Sequence, residues 1–328
     1  MVETAHGLVR SRAAAFDGAT APRLGQGWWG SALRRLLRHR AAVAGLIVIG
    51  VLGLMALLAP WVDRQGPTSQ QLDATLSGPS ARFWLGTDQL GRDQYSRLVH
   101  GARVSLTIGV LTQAVAVGLG LAVGMAAGLG GRRADALLMR LTDVAYAFPD
   151  LLMIILLVSI FGASVTMLVL AIGLVSWTTI ARLVRGQILS LREEEFVLAA
   201  RALGASRWRI AWHHLLPNLL GPVIITAAFG VPAAIFAEAA LAFIGLGLPP
   251  PTPSWGRLVT DSFGAMFAAP HLVVTSCLAV ALTMMSFTFL GDGLRDALDP
   301  RTPVRRPLPE ADLMEEGERK ATQRRRAA

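Results

Sequence analysis

Apolar residues in this chain come in long blocks, not in the one-faced spacing of a water-exposed helix or the alternation of a half-buried strand. Residues 41–62 carry no charge over 22 positions. At 1.5 Å per residue such a helix crosses a hydrocarbon core of about 30 Å. Further blocks at about 104–130, 145–161, 164–181, 219–245 and 271–290 predict five more spans. The pattern therefore predicts an all-α polytopic membrane protein with six transmembrane helices. It divides into a polar N-terminal segment 1–40, a membrane domain 41–300 and a charged, Pro/Arg-rich tail 301–328 that reads as disordered. The first block follows Arg34, Arg35, Arg38 and Arg40 and leaves through Pro60-Trp61-Val62 with no small-x-small site, so it reads as a retained anchor, not a cleaved signal peptide.

Within the blocks, small details predict packing. Gly120, Gly124 and Gly128 repeat every four residues and make one smooth helix face, the pattern that lets membrane helices approach closely. Gly162-Ala163-Ser164 divides two short spans. Pro232 marks a kink in the fifth block.

One polar island stands out, Ser190 to Pro217, SLREEEFVLAARALGASRWRIAWHHLLP. It reads as helix, turn, helix, stop. Ser190 with Glu193 forms a capping-box start, Glu193, Glu194 and Glu195 crowd the positive end of the first helix, and Gly204 supplies a left-handed cap. Ser206 caps a second helix and Pro217 ends it. Phe196, Ala199, Ala200 and Leu203 share a face of the first helix. Trp208, Ile210 and Trp212 are apolar anchors on the second, beside Arg207 and Arg209. Spacing alone leaves two readings open: a docking device for a soluble partner, or an amphipathic helix on the lipid surface.

Composition narrows the function. Charged residues make up only 16% of the chain and hydrophobic ones 53%. The net charge of +9 sits between and beyond the apolar blocks, as membrane topology requires, which argues against nucleic-acid binding. The N-terminal segment, the 132–140 turn, the island and the C-terminal segment are all basic and fall on one side. The 63–103 loop is nearly balanced, and the 249–270 loop sets Arg257 against Asp261. The positive-inside rule puts both termini and the island in the cytoplasm. Cys277 is alone, so no intrachain disulfide or thiolate cluster is available, and the adjacent His213 and His214 point about 100° apart on a helix. No metal site is expected. The one lysine, Lys320, is not in a P-loop, so ATP-driven work would need a partner. No nucleophile–base set is evident, which argues against catalysis.

Three acidic positions carry predictions. Asp88 and Arg92, four apart, are placed to pair locally in a turn-and-cap structure over Gly86–Asp93. Arg140 and Asp143 are one turn apart, and a structural ion pair is expected there. Glu238 is the only charge in the fifth block. An ionisable group inside a span faces a pathway or a partner, so it is either a translocation-path or gate residue or a structural hydrogen-bonding group near the outer helix end.

Ala199-Ala200-x3-Gly204, followed by Ile210 and Leu216-Pro217, resembles the EAA loop of ABC-importer permeases. Gly86-Thr87-Asp88-x-Leu90-Gly91-Arg92-Asp93, Gly101-Ala102-Arg103-x-Ser105, Thr252-Pro253-Ser254-Trp255-Gly256 and Gly291-Asp292-Gly293-Leu294-Arg295-Asp296 resemble the C-type permease of dipeptide/oligopeptide importers. The resemblance runs from about residue 30 to 302. It implies a type I permease fold and an inner-membrane location. It also implies alternating access driven by two partner ATPases that hold ATP and Mg, with a second permease subunit (normally a different chain) and an extracytoplasmic solute-binding protein. The chain itself would carry no cofactor. Glu195, Ala199, Ala200, Arg201, Gly204, Arg207, Arg209, Ile210, Leu216 and Pro217 are implied as ATPase-coupling positions, and Pro232 and Glu238 as pathway or gate positions. Peptides are the leading solute, with nickel chelates, glutathione or another small solute in the same branch. A secondary transporter or channel is the alternative from another class. The glutamate that names the EAA motif falls at position 198, where this chain has leucine, so no salt bridge is implied from it.

Overall fold

The computed structural model describes residues 28–298, so the expected disordered tail 301–328 and most of the N-terminal segment lie outside the described residues. Helix α1 (Trp28–Arg38) leads into α2 (Arg40–Leu57), which His39 caps by accepting from the Ala42 amide at 3.1 Å. A single turn, α3 (Ala59–Val62), completes the first apolar block. Helix α4 (Gln94–Leu129) begins ten residues before the expected span, because its polar first turns are buried and capped: Asp93 accepts from the Ser96 amide at 2.8 Å.

The third expected span, 145–161, is broken. Helix α5 (Arg132–Ala147) and helix α6 (Asp150–Phe161) meet at a bend of 83° across Phe148-Pro149. Proline has no amide hydrogen and pushes the preceding residue into extended backbone, and Phe148 has φ −80° and ψ 135°. Asp150 sits in the first turn of α6, beside that break. With 12 residues, α6 is about 18 Å long and too short to cross alone. Gly162, at φ +82°, ends it, and Ser164 caps α7 (Val165–Leu191) by accepting from the Met167 amide at 3.1 Å. The two short spans expected on either side of Gly162-Ala163-Ser164 are thus one short helix and one long one.

Helix α7 runs ten residues past the expected 181 because α5 takes up its charges. Arg185 donates two hydrogen bonds to Asp135 at 2.5 and 2.7 Å, and Arg182 lies 3.7 Å over the Tyr146 ring. No ion pair joins Arg140 to Asp143 among the described residues. The structural pair at this end is instead Asp135–Arg185, between helices.

The remaining helices are α8 (Glu195–Ala202), α9 (Arg207–Ile210), α10 (Leu216–Phe243), α11 (Trp255–Phe263) and α12 (Pro270–Leu298). Among the described residues there is no strand, only an isolated bridge between Thr87 and Asp93. Five helices are long and apolar enough to cross a membrane, and a sixth crossing results if α5 and α6 count as one bent span.

The centre of the bundle is the parallel pair α4 and α7. Gly120 faces Ile180, Gly124 faces Ala181 and Val184, and Gly128 faces Ile188, a constant register four residues at a time. A Cβ on Gly124 would stand 2.7 Å from the Ala181 carbonyl oxygen, so the smooth face predicted from spacing is a backbone-to-backbone contact. Gly45 of α2 approaches the Ser286 carbonyl of α12 in the same way.

Candidate functional site

The island folds differently from its expected outline. Ser190 is not a cap, because the apolar periodicity of α7 carries the helix through it to Leu191. Helix α8 starts at Glu195 with Glu194 as an N-cap that makes no side-chain capping bond. Its end is as expected. Gly204 has φ +82°, and the Ala205 amide donates to the Ala200 carbonyl at 3.0 Å, a Schellman closure. Ser206 caps α9 by accepting from the Arg209 amide at 3.3 Å.

Pro217 does not stop the second helix. One π-turn over Ala211–Leu215, closed by the Leu216 amide on the Ala211 carbonyl, joins α9 to α10, so Arg207–Phe243 is one helical path. Pro217 then falls in the first turn of α10, where a missing amide hydrogen costs little. Asn218 donates its side-chain amide to the His214 carbonyl at 2.6 Å at the same place.

Burial separates the two faces of the island. Val197, Ile210 and Leu215 are buried in a cluster with Ile180, Val184 and Ile188 of α7 and Leu219 and Val223 of α10. Ile210 was expected beside Trp208 and Trp212 as an exposed anchor. Two residues from each tryptophan, it is turned about 200° away on the helix and points inward. Leu203 (89% exposed), Trp208 (72%) and Trp212 (55%) face out, with Arg201, Arg207, Arg209, Glu195 and Ala199. Leu198 also lies outward, 44% exposed, so the position of the missing glutamate is an apolar surface point. Leu216 and Ala200 are half-buried, and Pro217 is exposed. The island is therefore a plate with an apolar underside fixed to the spans and a mixed Trp/Arg upper face.

At the opposite end of the bundle, Glu238 is fully buried. Its Oε1 accepts from Ser254 Oγ at 2.6 Å, and Oε2 lies against Gly256, where a Cβ would stand 3.0 Å from it. Ser254 also caps α11, accepting from the Arg257 amide at 3.1 Å, and the Trp255 amide donates to Ser105 Oγ at 3.0 Å. Glu238 thus ties α10 to the start of α11 through Oε1, while its buried Oε2 has no hydrogen-bond partner among the described residues. Pro232 is buried inside α10, which runs through it and Pro222 without a break.

The expected Asp88–Arg92 pair is part of a larger network that spacing did not reveal. Asp88 Oδ1 accepts from the Leu90 and Arg92 amides, both at 2.9 Å. Its Oδ2 accepts from Arg92 Nε at 2.7 Å and Arg97 Nη1 at 2.5 Å. Arg97 continues to Asp261 Oδ2 at 2.7 Å, and Arg257 meets Asp261 Oδ1 at 2.8 Å. The only sequence signal for the second half was the i,i+4 spacing of Arg257 and Asp261. Among the described residues, no group of three or more His, Cys, Asp or Glu is placed to hold a metal.

A bundle of membrane-crossing helices with a two-faced helical plate at one end defines the class: a multi-pass membrane protein. The comparisons make the class specific. The chain belongs to the family of binding-protein-dependent transport system inner membrane components, whose profile matches residues 120–304. The N-terminal transmembrane domain of oligopeptide transport permease C matches residues 27–79.

The chain is 41% identical to a dipeptide transport system permease protein, DppC, of Alkalihalophilus pseudofirmus, over 83% of this chain and 90% of that one. It is 40% identical to the oligopeptide transport system permease protein OppC of Escherichia coli K12 (84% and 92%), and 38% identical to the glutathione transport system permease protein GsiD of Pectobacterium atrosepticum (83% and 91%). Its fold matches a chain of the MetNI methionine ABC transporter in an inward-facing conformation, with a TM-score of 0.51 at 17% identity, covering 62% of this chain and 96% of that one. The protein is a non-catalytic permease subunit of an ABC importer in the inner membrane, of the C-type branch. Membership implies a permease partner, an ATPase and a binding protein.

Proposed function

We propose that the chain forms one half of a di-/oligopeptide translocation path, paired with a related but different permease chain. Two ATPase subunits, which bind the ATP and Mg, dock one on the island of each permease. A binding protein delivers peptide at the Glu238 end. Both termini and the island lie in the cytoplasm, as the distribution of arginine favours.

The observation that carries this reading is the two-faced island. Val197 and Ile210 fix it to α7 and α10, so a push on Trp208, Trp212, Leu203 or the neighbouring arginines moves whole spans and not a loose loop. Glu195, Ala199, Ala200, Arg201, Gly204, Arg207, Arg209 and Pro217 form or border the docked face, Leu216 flanks it, and Ile210 acts from beneath. Glu238 acts as an anchor that keeps α11 against α10, and Pro232 shapes the middle of the moving helix. The peptide assignment is supported by the names of the similar permeases. The glutathione permease among them keeps that tripeptide as the second solute to test.

The test replaces Gly204 by tryptophan. No atom lies within 4 Å of a Cβ there, so the local cost is the positive φ, about 1–2 kcal/mol. The bulk instead projects into the docked face. The expected result is a membrane-inserted protein that no longer co-purifies with its ATPases or supports dipeptide uptake. Normal uptake would sink the coupling assignment. Uptake of glutathione but not of dipeptides, in the unaltered importer, would move the solute assignment.

A further inference from the structure

We propose that the cleft between the island and the ends of α4 and α7 binds a phosphate-bearing anion, with Arg192, Arg201 and Arg207 as its guanidinium ligands. The cleft measures about 390 Å³ and is lined by these three arginines, by Leu129 and Ile188, and by Gly131. Arg192 pairs with Glu193 at 3.0 Å, but that carboxylate is 70% exposed, so the pair is weak and gives way readily. Among the described residues no acidic side chain pairs with Arg201 or Arg207. The other carboxylate at this end of α5, Asp135, is taken up by Arg185. Three arginines therefore line the cleft with Glu193 as their one ion-pair partner among the described residues, and Asp135 acts on Arg192 only at longer range.

Gly131 adds a second cationic contribution. It is the N-cap of α5, so the positive end of a 16-residue helix borders the cleft. Guanidinium forks and a helix N-terminus both match anion oxygens, and a tetrahedral phosphate offers more of them to three arginines than a carboxylate's two. The floor is apolar, at Leu129 and Ile188, where α4 and α7 reach their ends. A cationic rim over an apolar floor at the edge of the spans fits the phosphate of an anionic phospholipid. On the proposed orientation this is the cytoplasmic leaflet, where such lipids attract basic segments. A free phosphate offers the same oxygens without needing the floor. Arg201 and Arg207 also border the docked face, so an occupied cleft would hold the plate in one position against α4 and α7.

The test uses the full-length chain and does not depend on peptide uptake. In one arm the chain is held in nanodiscs of equal parts phosphatidylcholine and phosphatidylglycerol, then released in neutral detergent, and its retained lipid is counted by native mass spectrometry. In the other, nanodiscs of phosphatidylcholine alone are titrated with inorganic phosphate against chloride at matched ionic strength, reading the thermal midpoint. Phosphatidylglycerol should be retained preferentially. Arg201→Gln/Arg207→Gln should weaken retention about tenfold, while Arg140→Gln, an exposed arginine of α5 outside the cleft, should not. Binding in the lipid arm alone identifies the headgroup as the source, and binding in the phosphate arm alone identifies a soluble anion; either supports the site. Unchanged binding in a double variant that still elutes as a single species, or an equal loss with Arg140→Gln, would overturn it. So would loss of ATPase co-purification with both anion arms unchanged, which would assign these arginines to protein docking only.

Discussion

Asp88→Ala removes the centre of the buried network at the start of α4. Four hydrogen bonds disappear, two from backbone amides at 2.9 Å and two from guanidinium groups at 2.7 and 2.5 Å. Arg97 is 2% exposed and would keep only Asp261, and Arg92 would keep only a 3.4 Å contact to the same oxygen. Hydrogen bonds to charged groups contribute about 1.5–3 kcal/mol each, but four sharing one carboxylate do not add. The better guide is the cost of leaving a buried charge without its partner, about 3–5 kcal/mol, of which Asp261 offsets a part. We expect a loss of about 3 kcal/mol, which for a chain of this length corresponds to a midpoint lowered by about 4–6 °C. Thermal unfolding of the purified protein in one detergent at one scan rate measures it. Adding Arg97→Met should restore part of the loss, because it removes the stranded charge. A midpoint within about 2 °C of the parent, or single and double variants that simply add, would refute the reasoning.

Gly124→Leu puts a side chain where a Cβ alone meets the Ala181 carbonyl at 2.7 Å, so α4 and α7 must separate; we expect at least about 3 kcal/mol of destabilisation, seen as a lower midpoint or failed insertion, and a normal midpoint would refute the contact. Glu238→Gln keeps an oxygen for Ser254 and should cost about 1 kcal/mol or less with uptake retained, whereas Glu238→Leu leaves the buried Ser254 hydroxyl without its acceptor and should cost about 1–3 kcal/mol. Lost uptake in Glu238→Gln with an unchanged midpoint would return this residue to the pathway. Leu198→Glu adds a carboxylate to an exposed point and should leave the midpoint within about 0.5 kcal/mol; uptake then reads whether the docked face tolerates charge there.

Features fixed by local chemistry were legible in the sequence. Gly204 had to be left-handed and Ser206 had to cap, because only immediate neighbours decide those outcomes. The small face of α4 was legible too, but not its partner, since the register to α7 is set by packing alone. The misreadings share that cause. Ser190 resembled a cap until the continued apolar run of α7 outweighed it. Pro217 resembled a stop, but a single π-turn shifted the hydrogen-bond register and absorbed it. Arg140 and Asp143 had the right spacing, yet the pair that forms, Asp135–Arg185, spans fifty residues. Arg97 and Asp261 were invisible for the same reason, lying 164 positions apart.

The π-turn has a mechanical consequence. With no loop between the island and α10, residues 207–243 form a rod of 37 residues, about 55 Å from end to end. A continuous helix has no loop to slacken, and it can bend only at the π-turn, Pro222 and Pro232. If it pivots near its middle, a rotation of about 5° sweeps each tip by about 2 Å in opposite directions. A displacement as small as one hydrogen-bond length at Trp208 would then arrive, reversed, at Phe243, without any residue between them changing its own conformation.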